Sequence, residues 1–163
     1  MVTVSVHIVK RIIKLIDIRL RKLQGLKKEL ARSSLDYAIK EMMPRVRNLS
    51  ITVLGISSLD EKEGIDGDCD FLDYGSRIPR EYLIRVNTDL SIKEFVCTIM
   101  HEMVHVKQWL KGEMRDYIGH PFTRSWKGKK INIQKVCYDN HPWEKEAHKL
   151  QETLTESFLS DYK

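Results

Sequence analysis

At 163 residues, with 42% hydrophobic and 31% charged side chains, the chain has the size and composition of one globular domain with a sizeable core. No apolar run approaches the ~18–20 residues of a membrane span, and no secretory leader is read at its start. The net charge of +5 is uneven: residues 1–50 hold 12 Lys and Arg against 4 Asp and Glu, and the remainder is net acidic. Cys69, Cys97 and Cys137 are an odd number without paired spacing. This argues against a disulfide framework or a cysteine zinc site, and for a reducing cytoplasm.

In chain order, Thr3 to Ile8 reads as a short strand or the start of a helix. From Val9 to Ala31, Ile12, Ile13, Leu15, Ile16, Ile18, Leu20, Leu23, Leu26 and Leu30 interleave with basic residues. The pattern predicts a basic amphipathic helix, with Gly25 as a possible break. Such a helix can bind nucleic acid, although a solvated face opposite a packed one is the favoured reading. A second helix is predicted from Ser34, its cap, to Met43, before Pro44. Residues 1–48 thus read as a helical extension and 49–163 as the core of a single domain. Leu49 to Ile56 is β-rich and predicts a strand.

Residues 57–80 are turn-rich and acidic. Asp66, Asp68, Asp70 and Asp73 suggest a calcium loop, but the EF-hand pattern lacks its glycine and ends on Arg77 instead of glutamate. Tyr82 to Asn87 predicts a second strand, either sheet core or the edge on which an extended substrate adds.

Ser91 with Glu94 is a capping box, and Gly112 falls where the helix it opens would stop. Inside, Ile92, Phe95, Val96, Ile99, Met100, Met103 and Val104 recur at helical spacing. This helix carries His101-Glu102-Met103-Val104-His105, the pattern H-E-x-x-H. Its histidines project from one side and can share a tetrahedral Zn²⁺, while Glu102 can hold and deprotonate a water. Cys97, four residues earlier, lies on the same side; a small packed residue is its favoured role.

After Gly112 a polar connector holds Tyr117, Gly119, His120 and Pro121, and residues 126–133 predict a turn and a short strand. The last helix opens at Pro142-Trp143-Glu144 and runs to about Leu159, with Ala147, Leu150, Leu154 and Phe158 as its buried stripe.

Asp66 to Ala147 resembles the small H-E-x-x-H metallopeptidases common in bacteriophage genomes. The matching pieces are Gly67-Asp68-Cys69-Asp70, Pro79-Arg80-Glu81, His101 to Gln108, Trp126-Lys127-Gly128 and Pro142 to Ala147. The resemblance covers about half the chain. It implies an α+β fold: a minimal zincin-like domain with a small mixed sheet packed on the H-E-x-x-H helix and a C-terminal helix. It also implies peptide or protein substrates, a zinc cofactor and, for a phage-encoded protein, the host cytoplasm. Partner copies are left open.

A catalytic zinc takes three protein ligands and one open position. In gluzincin-type peptidases the third is a glutamate on a later helix with a polar residue four positions on, which Glu144 and His148 resemble. The rival is His120, resembling the SprT-like proteases that act on DNA–protein crosslinks; Glu146 and His141 are further alternatives. Glu146 lies about 200° from Glu144 around a helix, so only one of the two can face the metal. The implied reaction is hydrolysis of a peptide bond with Glu102 as general base. Tyr138, His141 or His148 would steady the developing oxyanion. A zinc-stabilised binding module without catalysis is the reading from another class, and the presence of Glu102 counts against it.

Overall fold

The computed structural model describes residues 15–117 and 119–162; the Thr3–Ile8 reading and the start of the first predicted helix lie outside them. The described chain is a mixed α and β fold with four helices and two small sheets.

Leu15–Arg21 is a strand, β1, not part of a helix. Ile16, Ile18 and Leu20 alternate with Asp17, Arg19 and Arg21, a period of two that the longer helical reading overrode. Parallel pairing with β2 (Asn48–Ile56), from Leu15 opposite Asn48 to Arg21 opposite Leu54, settles the conformation. Between them a single helix, α1 (Gly25–Met42), replaces the two that were predicted. Ser34 is a wholly buried residue inside it, not a cap. The expected basic helix face is therefore divided. Arg32 instead donates to the Ile18 carbonyl, and Lys27 to the carbonyls of Thr88 and Leu90.

The helical extension expected for residues 1–48 is corrected accordingly: residues 15–48 supply a strand and a core helix. Leu30, Leu35, Ala38 and Ile39 of α1 pack into one cluster with Phe95, Ile99 and Met103.

A short helix, α2 (Leu59–Glu63), leads to β3 (Gly67–Phe71), and then to β4 (Glu81–Asn87). The sheet order is β1-β2-β4-β3, with β4 parallel to β2 and β3 antiparallel to β4. β4 is therefore interior, and β3 is the edge; the substrate edge considered for Tyr82–Asn87 is corrected on this point. Three of the four aspartates named in the acidic segment bond internally. Asp68 pairs with Arg85, Asp70 accepts from the Tyr74 hydroxyl, and Asp73 accepts the backbone N–H of Arg80.

α3 (Ile92–Leu110) has the predicted capping box, Ser91 and Glu94 each accepting the other's backbone N–H, and Gly112 follows it at φ +67°. It packs against the sheet, against α1, and against α4 (Pro142–Asp161). Between α3 and α4, β5 (Met114–Asp116), β6 (Thr123–Trp126) and β7 (Lys129–Asn132) form the second, antiparallel sheet. Among the described residues no helix is long and apolar enough to cross a membrane.

Leu35 is fully buried between α1 and the core. Leu35→Ala should cost about 2–5 kcal/mol in urea unfolding. A loss below about 0.5 kcal/mol, the range of surface substitutions, would mean that α1 is a loosely attached appendage.

Candidate metal centre

Helical spacing brings His101 and His105 onto the side of α3 that faces α4, and the first turn of α4 brings Glu144 against them. The Nε2 atoms of the two histidines are 3.1 Å apart. Glu144 Oε2 lies 3.3 Å from His101 Nε2 and 3.4 Å from His105 Nε2. These three residues are the group among the described residues whose ligand atoms converge closely enough to hold a metal ion.

What turns the imidazoles toward each other is a pair of glutamines. Gln108 Nε2 donates to the Trp143 carbonyl at 3.0 Å and to Glu146 Oε2 at 3.1 Å, which fixes the orientation of its amide. Its Oε1 therefore accepts from His105 Nδ1–H at 2.9 Å, leaving Nε2 as the bare nitrogen of the neutral ring. Gln151 Oε1, two turns beyond Glu144 on α4, lies 2.6 Å from His101 Nδ1 and orients that ring.

Glu144 is 3% exposed, and its Oε2 has no hydrogen-bond partner. Burial opposes its ionisation; a proton on a facing Nε2, which lets His101 or His105 donate to it, is what brings the carboxyl well below the usual range. Three electron-pair donors thus face one another between two clefts. Only a cation, a metal ion or a proton on one ring, reconciles them.

Glu102 is buried on the neighbouring face, next to Gly67 of β3. A Cβ on Gly67 would meet Thr98 Cγ2 at 2.5 Å and the Arg85 carbonyl at 2.9 Å, so only glycine lets the edge strand lie this close to α3. Burial pushes the Glu102 carboxyl up to about 8; His101 opposes the shift, while Asp68 and Glu144 add to it. A cation at the three ligands would pull it back down.

Glu102 lines two clefts. One, of about 480 Å³, runs between β3 and the β5–β6 side and includes His105, Tyr138 and Glu144. The other, of about 330 Å³, includes His101, Cys97, His148 and Gln151. Ile65, Gly67 and Tyr138 line both.

The other candidates lie elsewhere. His120 is exposed in the turn between β5 and β6, outside the cluster. Glu146 points to Lys107 and Lys127, 2.9 Å from each; burial opposes ionisation, but the lysines and Gln108 bring its carboxyl down to about 2. His141 stacks on Trp143, with ring centroids 4.5 Å apart. His148 makes no bond to Glu144; its ring packs beside that of His101, 4.9 Å between centroids. Cys97 lines the second cleft without joining the cluster, and all three cysteines are free.

The positions that sequence reasoning missed are Gln108 and Gln151. Helical periodicity could have found both: Gln108 is one turn after His105, and Gln151 is two turns after Glu144. No protein family, curated protein or solved structure matches this chain.

Two outcomes follow from this geometry. Gln108→Ala frees the His105 ring and should weaken metal binding about 10–100-fold in a competitive chelator titration, while His120→Ala leaves it unchanged. Equal affinities for Gln108→Ala and the wild type would show that the clasp is irrelevant to the ligands. The second outcome concerns pH in protein stripped of metal. Between pH 4.5, the ordinary value, and about 8, native Glu102 keeps a proton that the unfolded chain has lost. The native state then binds more protons, so stability falls as pH rises through this window. Glu102→Gln removes that dependence, so its melting-temperature advantage over the wild type should widen from pH 5 to pH 8. A constant difference would place Glu102 in a solvated setting.

Proposed function

We propose that this protein is a zinc-dependent metallopeptidase of zincin-like architecture, with His101, His105 and Glu144 as ligands and Glu102 as general base. The observation that carries the reading is the spacing of the three ligand atoms. Ligands about 2.0–2.1 Å from a tetrahedral ion stand about 3.3–3.4 Å from one another. The three pairs here are separated by 3.1, 3.3 and 3.4 Å. Two imidazoles and one carboxylate are also the donor set of a catalytic zinc with an open position.

Zinc, when bound, supplies a water whose pKa falls from 15.7 toward about 7 and a Lewis acid for the scissile carbonyl. The chain's own groups do the rest. Glu102 accepts the water's proton and hands it to the leaving nitrogen, which requires a carboxyl whose affinity for protons lies near neutrality. Burial raises its proton affinity and a cation at the three ligands would lower it again, two opposed effects that support such a value. Tyr138, on both clefts beside Glu102, offers a hydroxyl to the carbonyl oxygen as negative charge grows there. The edge of β3, unpaired among the described residues and five residues or about 17 Å long, offers backbone N–H and C=O groups to an extended polypeptide. The free thiols suit work in a reducing cytoplasm. The SprT-like alternative needs His120 at the metal, and the exposed turn that carries it gives that reading no support.

Glu102→Gln tests the assignment. The variant should bind zinc as the wild type does and lose at least about a hundredfold in cleavage of a peptide library, because its amide accepts no proton. Cleavage near the wild-type rate would remove Glu102 from the chemistry.

A further inference from the structure

The groove continues past the ligand cluster. Beyond Trp109 it opens into a cavity of about 530 Å³ that shares Phe71, Tyr74, Trp109 and Asp116 with the main cleft. Aromatic rings form much of its lining. Phe71 and Trp109 meet edge to face with centroids 4.9 Å apart, and Tyr74 stands 5.4 Å from Phe71 with 70% of its surface exposed.

Two guanidinium groups share this lining, Arg77 and Arg115, and neither has a carboxylate partner among the described residues. Arg115 is held in place against Gly112, where a Cβ would approach its Nη2 to 2.6 Å. Its Nε is buried with no hydrogen-bond partner. Asp116, the acid in this cavity, is already paired with Arg124 at 2.9 Å. At the opposite end of the groove the charge is reversed: Asp66, Glu94 and Glu102 line the second cleft, and no lysine or arginine does.

With Nε enclosed beside Gly112, the Nη groups are what Arg115 presents to the cavity. Two guanidinium groups there without a carboxylate partner are met best by an incoming carboxylate. Aromatic walls beside it cover the methylenes that carry such a carboxylate. We propose that this cavity is a specificity subsite for an acidic side chain, glutamate above all, on an extended polypeptide lying in the groove. The substrate class is then a protein segment with a glutamate placed toward the Phe71 end of β3. This inference rests on the peptidase reading, and its test keeps the two separable.

Blocked hexapeptides of alanine and serine, with one glutamate moved through every position and a glutamine twin for each, are titrated into full-length Glu102→Gln protein by calorimetry. At one position glutamate should bind about tenfold more tightly than glutamine, an advantage that shrinks with added salt. Arg115→Gln should reduce it below about twofold, the size expected once the charge-assisted bond is gone. Arg77→Gln, at an exposed position, should reduce it in part, and this carries the test if Arg115→Gln does not fold.

The absence of any such position, or an advantage that survives both substitutions, overturns the subsite. Peptides with a free terminal carboxylate form a separate arm: an advantage confined to them overturns the side-chain assignment in favour of a chain end. A glutamate preference in peptides that the wild type leaves uncut keeps the subsite and removes the peptidase reading. Cleavage without a preference does the reverse.

Discussion

The Gln108 side chain is the clasp on which the site depends. It ties α3 to the first turn of α4 through the Trp143 carbonyl and Glu146, and with its remaining oxygen it turns His105. A buried amide has two donors and an acceptor to satisfy, and here all are used across the helix–helix contact. The consequence is positional. Glu144, next to Trp143, cannot slide along α3 without breaking these bonds, so its carboxylate is held where the two imidazole Nε2 atoms meet it. Lys107, buried beside Gln108, extends the clasp by pairing with both Glu113 and Glu146. Charges this shielded are stable only when fully paired, which makes the contact intolerant of sliding.

Around that clasp the rest of the fold sets the solvent exposure. α1 and the sheet cover the far side of α3. β3 closes one wall at a distance only Gly67 permits, and that closeness buries Glu102, whose carboxyl burial raises to about 8 in the metal-free protein. The same edge strand runs from Glu102 to the aromatic cavity, so one backbone edge connects the proposed base to the proposed subsite. Catalysis and recognition, on this account, share a single structural element.

Much of this was legible in the sequence, and the misses have physical causes. The capping box, the spacing of His101 and His105, and Pro142 at the start of α4 are local signals, so they located α3 and α4; Glu144 as partner of the histidines came from the resemblance to gluzincin-type peptidases, beside His120. β1 was lost because Ile16, Ile18 and Leu20 satisfy a period of two and, with their neighbours, a helical period as well; only the partner strand β2 decides. β3 was read as loop because Gly-Asp-Cys-Asp-Phe is a poor strand by composition, and pairing with β4 supplies what propensity lacks. That error moved the sheet edge one strand inward. The glutamine partners of the histidines escaped because a glutamine on a helix is usually surface, so their spacing from His105 and Glu144 was passed over.

Zinc-edge X-ray absorption on the zinc-loaded, full-length protein addresses the central claim most directly. The account predicts one zinc per chain, with only nitrogen and oxygen neighbours at about 2.0–2.2 Å and the multiple-scattering signature of two imidazoles, one of them lost in His105→Ala. A sulfur neighbour at about 2.3 Å, which would bring in Cys69 or Cys97, or the absence of stoichiometric zinc, would contradict it.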